Sequence, residues 1–238
     1  MTRAGDWARC EFGELFEFSN GINADKSAYG SGTPFINILE VITKEWLEPS
    51  DIPGRVTLPA STLARYRVNF GDVLVNRTSE TQEEVGLTST YLGDVPVVFG
   101  GFVFRARPKT TRLDVGFSKY GLRGIAVRRQ ITARGQGGIR ANIGQRDLKS
   151  VAVELPDVPE QKAIADALDD ASSMIDRLQR LIIKKRDIKQ GLMQELLTGR
   201  TRLLGFSGEW TARSIGDFAE VKAGGTPSTA VARYWGGD

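Results

Sequence analysis

Glu160 to Thr198 reads EQKAIADALDDASSMIDRLQRLIIKKRDIKQGLMQELLT, 39 residues with no proline and one glycine, Gly191. Ile164, Leu168, Ala171, Ile175, Leu178 and Ile182 are spaced 4-3-4-3-4, the a/d seam of a coiled coil. Lys185 takes the next slot, and the stripe resumes at Ile188, Leu192 and Leu196, bridged by Leu181 as in a stutter. Gly199 suits the position that ends a helix. At ~1.5 Å per residue the segment is a rod of about 60 Å, too long for the interior of a small domain. It must pack against something long.

Charge along this helix is sorted. Glu160, Asp166, Asp169, Asp170 and Asp176 occupy its first half, and Arg177, Arg180, Lys184, Lys185, Arg186 and Lys189 its second, with Lys162, Asp187 and Glu195 as exceptions. Macrodipole complementarity within one helix is one reading, but dipole effects fade within a turn of each end. The other is an antiparallel partner of the same kind, which sets each acidic half beside a basic half. A helix–helix interface is therefore expected at Ile164, Leu168, Ala171, Ile175, Leu178, Ile182, Ile188, Leu192 and Leu196.

Upstream, the texture differs. Short apolar runs such as Phe35 to Ile38, Asp72 to Val75 and Val95 to Phe99 are broken by Gly, Pro, Asn and Ser clusters, with a helical turn expected at Pro59 to Tyr66. The fold class this predicts is α+β: a mostly-β domain over 1–155, one long coiled-coil helix over 156–200, and a further segment over 201–238. The 40% hydrophobic and 26% charged fractions over 238 residues are those of a globular chain. With no apolar run long enough for a bilayer and no signal-peptide core at the start, a cytoplasmic protein without a membrane association is expected. The single cysteine, Cys10, removes any intramolecular disulfide framework.

The absence of histidine excludes Ser-His-Asp and Cys-His catalysis and His-ligated zinc. Neither a phosphate-binding glycine motif nor a methyltransferase Asn/Asp-Pro-Pro-aromatic tetrad is present, so no cofactor, no metal and no catalytic residue is expected. Glu220-Val221-Lys222 faintly resembles a nuclease signature, but the acid upstream of it, Asp157, lies across the helix.

Trp7 to Gly21 aligns without gaps to Trp210 to Gly224, Trp, Gly, Glu and the closing Gly coinciding. The expectation is that a second copy of the first domain opens near Trp210.

These residues resemble the specificity subunit of type I restriction-modification systems. The resemblance is carried by Gly71 to Thr78, by Gly144-Gln145-Arg146-Asp147-Leu148-Lys149 leading to Leu155-Pro156, and by Pro159-Glu160-Gln161-Lys162-Ala163-Ile164-Ala165. Leu192 to Arg202, Gly224 to Ser228 and Tyr234 to Asp238 continue it. It implies a non-catalytic subunit whose target-recognition domains each read half of a bipartite double-stranded DNA site. Two antiparallel helices space those domains, and the subunit docks methyltransferase subunits and, through them, restriction subunits. With one full domain and one such helix, the chain departs from that pattern, and the expectation is a half subunit that pairs as a homodimer.

Candidate DNA contacts follow from side-chain chemistry. Between Gly121 and Ser150 the basic residues are Arg123, Arg128, Arg129, Arg134, Arg140, Arg146 and Lys149, against one acid, Asp147. Within it, Ala133 to Asn142 reads as a glycine-rich loop presenting Arg134, Gln136, Arg140 and Asn142, side chains that reach phosphates and base edges. A solvated surface loop is the plainer reading. Asn76, Arg77 and Thr78 follow an apolar strand and face the DNA or cap a turn. Lys26 and Tyr29 sit on a polar loop. Arg105 and Arg107 share one strand face, either a groove wall or the wet side of an amphipathic strand. The rival function is a coiled-coil adaptor whose β domain binds another protein.

Overall fold

The computed structural model describes residues 7–137 and 140–235. It divides into two compact units, residues 1–174 and 175–238. The first carries β1 (Ala8–Glu11), α1 (Phe12–Leu15), β2 (Phe16–Asn20), β3 (Tyr29–Ile36), α2 (Ile38–Thr43) and β4 (Trp46–Leu47). There follow β5 (Arg55–Val56), α3 (Ala60–Arg65), β6 (Val73–Asn76), β7 (Thr78–Ser79), β8 (Thr88–Tyr91), β9 (Val98–Phe99) and β10 (Val103–Pro108). Then come α4 (Val115–Gly121), α5 (Ile125–Arg134), β11 (Ala141–Asn142), α6 (Gln145–Lys149), β12 (Ala152–Leu155) and the helix α7 (Val158–Leu197), which runs on into the second unit.

The main sheet has the order β2-β10-β6-β8-β4, antiparallel except for the β8–β4 pair. β10 lies inside it, and its alternation decides its faces: Phe104 and Ala106 are buried while Arg105 and Arg107 share the other side. β6 and β8 are buried along their whole length, as strands covered on both faces must be. A smaller sheet, β5-β3-β9, packs Ile22, Phe35, Val56 and Val98 in a cluster of their own. The largest core joins Phe12, Leu15, Phe16, Phe104, Leu122, Ile131 and Leu148.

The α+β class is as expected, with local differences. The run at Phe35 stops as a strand at Ile36, because Asn37 caps α2 with Glu40 reaching back to its N–H at 2.9 Å. Val95 and Pro96 stay outside β9, and helix α3 forms where Pro59 predicted it. Arg134 ends α5 and Asn142 lies in β11, so the glycine-rich loop is shorter than its composition suggests. Gly138 and Ile139 of that loop lie outside the described residues.

β1 pairs with β12 (Cys10 opposite Val153), tying the first strand to the one that feeds α7. Asp157 caps that helix, its carboxylate accepting the Glu160 N–H at 2.8 Å. Gln161, fully buried, then fastens its first turn. Its amide donates to the Arg112 carbonyl at 2.8 Å and the Pro156 carbonyl at 2.9 Å and accepts the Asp114 N–H at 2.8 Å. Two turns on, Asp169 accepts from Lys119, 6% exposed beneath the Trp46 and Tyr120 rings, and from the Tyr120 hydroxyl. Burial raises the Asp169 carboxyl, and these hydrogen bonds outweigh it, holding the group below its usual range. Ile164 packs on the main core and so is partly used within its own domain. Among the described residues no helix is long and apolar enough to cross a membrane.

In the second unit α7 ends at Gly199, whose φ of +73° is the left-handed cap expected of it. Ile175, Leu178, Ile182, Ile188 and Leu192 are each about half exposed there. Further along, Asp217 reaches back to the Ser214 N–H at 3.1 Å, as Glu14 does to the Glu11 N–H at 3.1 Å. The two capping boxes occupy matching places in the repeat. Their apolar neighbours differ: Phe12, Leu15 and Phe18 are buried, whereas Ile215, Phe218 and Val221 are more than 70% exposed.

Replacing Gln161 with Leu leaves one buried N–H and two carbonyls without their partner. Urea unfolding should register a loss of about 2–3 kcal/mol, the usual cost of orphaned buried polar groups. Replacing exposed Lys162 with Leu should shift the midpoint little.

Candidate nucleic-acid interface

The polar residues that converge lie where β6 passes into β7 and β11 returns beside it. Arg77 is exposed between the two strands, its guanidinium 5.4 Å from the centre of the Phe104 ring. Its backbone is fixed from both sides, since Arg77 N–H donates to Phe102 and its carbonyl accepts from Ile143. Thr78 donates to the Asn142 side chain at 2.6 Å. Gln136 and Asn142 exchange two backbone hydrogen bonds at 2.8 Å, which closes the loop between α5 and β11. Gly137 in that loop has a φ of +125°, and a Cβ there would stand 2.1 Å from the Arg140 carbonyl, so only glycine fits.

Arg77, Phe104, Gln136 and Asn142 line an open polar recess of about 540 Å³ together with Asn20, Gln145 and Asp147. Gln145 donates to the Asn20 side-chain carbonyl at 3.1 Å, a bond that uses neither the Asn20 amide hydrogens nor the Gln145 side-chain carbonyl. Arg140 lines an adjoining recess with Thr78 and the exposed Phe102. Of the sequence candidates, Arg77, Thr78, Gln136, Asn142 and Arg140 are thus neighbours. Asn20, Phe104 and Gln145 were not foreseen, although Gln145 stood in the string that carried the family resemblance.

Other candidates are placed elsewhere. Asn76 is fully buried and serves as the turn cap, donating to the Glu84 carbonyl at 2.9 Å and accepting the Thr78 N–H at 3.2 Å. Arg107 makes a bidentate pair with buried Asp72, at 2.7 and 2.9 Å, which raises the guanidinium above its ordinary pKa. Beside it Arg105 is half-buried over Phe99; burial and then the neighbouring Arg107 push its pKa down. Arg134 donates to the Gln130 carbonyl in the last turn of α5. Tyr29 packs edge-on to Phe35 with its hydroxyl accepting the Ala24 N–H, and Lys26 sits in the turn before it.

The basic run is also less free than its composition suggests. Arg123 donates to the Thr88 and Val41 carbonyls, and Arg128 to the Glu83 and Val85 carbonyls. Burial lowers both pKa values. These arginines satisfy backbone carbonyls inside the domain. Among the described residues no group of three or more His, Cys, Asp or Glu is placed to hold a metal ion. Glu220 and Lys222 form a surface pair at 3.4 Å.

A family model described as the type I restriction modification DNA specificity domain matches residues 5–185. The chain belongs to that family. A putative type I restriction enzyme MjaX specificity subunit of Methanocaldococcus jannaschii is 24% identical over 196 residues, covering 81% of this chain and 46% of that protein. The EcoKI specificity subunit of Escherichia coli is 25% identical over 223 residues, covering 91% and 46%. The chain therefore spans about half the length of the curated relatives it matches. Among solved structures, the S subunit from M. genitalium superposes with a TM-score of 0.55 at 18% identity, over 82% of this chain and 46% of that one. The HsdS subunit from Thermoanaerobacter tengcongensis gives 0.54 at 20%, over 82% and 45%. At such identities the likeness is one of fold: a mixed-sheet domain followed by a long helix.

The two arginine classes should separate by mutation. Arg107→Met strands the buried Asp72 charge and should lower stability by about 2–3 kcal/mol in urea unfolding. Arg77→Ala removes an exposed side chain and should stay within about 0.5 kcal/mol.

Proposed function

We propose that this chain is a non-catalytic DNA-reading component of a type I restriction-modification complex. It recognises one half of a bipartite double-stranded target and docks methyltransferase subunits and, through them, restriction subunits. The observation that carries this is the meeting of Arg77, Gln136 and Asn142 in one open polar recess of a chain in the specificity-domain family. A guanidinium and several amides on a concave surface suit base edges, while Arg140 beside them suits a phosphate. In this reading residues 1–155 are the recognition domain, 156–200 a spacer and pairing helix, and 201–238 the opening of a second recognition domain. The matched capping boxes at Glu11 and Ser214 support that last assignment.

Pairing is the finer part of the proposal. Two copies of α7 side by side and antiparallel set acidic residues 160–176 against basic residues 177–189 and cover the half-exposed seam. A two-fold pair then carries two recognition domains, as a reader of a split site requires. The same seam would serve a coiled-coil adaptor, and DNA binding separates the two functions.

In complex with its methyltransferase subunits, the chain should bind target DNA with an affinity that falls steeply with salt. Arg140→Ala should flatten that log–log slope by about 0.9, one phosphate contact, whereas Arg77→Ala should relax preference at one base pair. Salt-independent binding, or unchanged behaviour of both variants, points to the adaptor. The pairing has its own test. Leu168→Asp with Ile175→Asp places charges in the seam, and sedimentation should then show monomers where the parent chain is a dimer.

A further inference from the structure

The main sheet sends three loops out of one end. β2 finishes at Asn20, β6 finishes at Asn76 and β10 begins at Val103, with Asn20 opposite Phe104 and Asn76 opposite Val103. The turn Gly100-Gly101-Phe102 therefore emerges between Asn20 and Arg77. Four backbone hydrogen bonds hold it. Gly100 N–H donates to the Ile36 carbonyl at 3.0 Å, Gly101 N–H to Ile22 at 2.8 Å and Val103 N–H to Gly100 at 2.9 Å, while the Phe102 carbonyl accepts the Arg77 N–H at 2.9 Å. A Cβ on Gly101 would stand 2.0 Å from the Asn23 side-chain oxygen, so the turn is pressed against its neighbour. On this fixed backbone the Phe102 ring is 58% exposed.

The ring does not stand alone. With Ile38 and Ile42, one turn apart on α2 and each half-buried, it lines a recess of about 390 Å³. Thr78 lines the same recess and is bonded to Asn142, which joins it to the polar recess around Arg77.

We propose that this apolar recess receives the 5-methyl group of a thymine in the target duplex, with Phe102 as the residue that reads it. The inference rests on the DNA-reading function proposed above and adds one base to it. The chemistry of the major groove selects the occupant. Base-pair edges there carry hydrogen-bond donors and acceptors, and their one apolar group is the thymine methyl. An apolar recess beside a guanidinium and amides thus has a single counterpart on the duplex. The carboxylates decide which part of the DNA faces it. Glu84 accepts from the Ser79 hydroxyl at 2.6 Å and is engaged within the chain, whereas Glu80 is exposed at the recess. An exposed carboxylate repels a phosphate, so the recess addresses a base edge and leaves Arg140 for the backbone. A ring already fixed in place gives up little freedom on binding, which favours a contact as small as one methyl.

The test uses the full chain with its methyltransferase subunits and a target duplex selected from a random pool. Each thymine is replaced in turn by deoxyuridine, which removes the 5-methyl and nothing else. At one position in a half-site the affinity should fall about fourfold, the share of one buried methyl. Phe102→Ala should bind the thymine and uracil duplexes equally at that position, and Phe102→Leu should keep part of the difference. Both variants should retain the parent's salt slope, because no phosphate contact is lost. Uracil tolerated at every position, a selected half-site without thymine, or discrimination that survives Phe102→Ala overturns the methyl contact and leaves DNA reading intact. Loss of methyltransferase subunits from Phe102→Ala in sedimentation marks the recess as a protein seat and overturns the contact too. A parent complex with no salt-dependent target binding overturns the DNA reading itself, and the contact with it.

Discussion

The first turns of α7 depend on how one buried amide is satisfied. Gln161 closes three hydrogen bonds at once, to the segment before α4 and to the proline that ends β12. A helix entering after Pro156 could otherwise leave in several directions. The amide fixes both its start and its azimuth, because each partner is a backbone group that cannot rotate away. Asp169 adds a second point two turns further on, held by a lysine that has no exposed alternative. Two anchors on one helix face define an axis where one defines only a pivot.

Arginine tells a related story about where charge goes. The stretch from Gly121 to Ser150 looks like a basic surface, yet Arg123 and Arg128 point inward to carbonyls, and Arg134 caps its own helix. Arg107 neutralises Asp72 on the open face of β10. A guanidinium has five donors and so can satisfy several backbone carbonyls together. Arg77 and Arg140 gather with amides on one side of the domain, and Arg129, Arg146 and Lys149 of the same stretch are exposed as well. For the proposed DNA contact, a focused patch fixes position more sharply than a uniformly basic face, because each contact also fixes register.

The helix was the most legible part of the sequence, since its period, its charges and Gly199 all agree. Strand positions were readable where apolar runs are long, as at β6, and misplaced where a cap intervened, as at Asn37. The recess was half legible. Arg77, Gln136 and Asn142 advertise themselves by residue type and by the glycines near them. Asn20 and Gln145 do not, because they meet across 125 positions and only the β2–β10–β6 order brings them near Arg77. Burial of Arg123 and Arg128 was invisible for the same reason: a charge in a string shows its sign, while its environment is set by strands far away in sequence.

The repeat carries the argument about burial one step further. Phe12, Leu15 and Phe18 are core residues because β10, β12 and α6 close over them. Ile215, Phe218 and Val221 occupy the same places after the same capping box and stand in solvent. A matching capping box with opposite burial separates what a short segment encodes from what its neighbours supply. The turn is local and forms in both copies. The apolar pattern is written for a surface, and in the first copy that surface is the sheet. In the proposed pairing the α7 seam obeys the same rule at larger scale: its half-exposed residues suit a second helix with the opposite charge order, which another copy of α7 read backwards supplies.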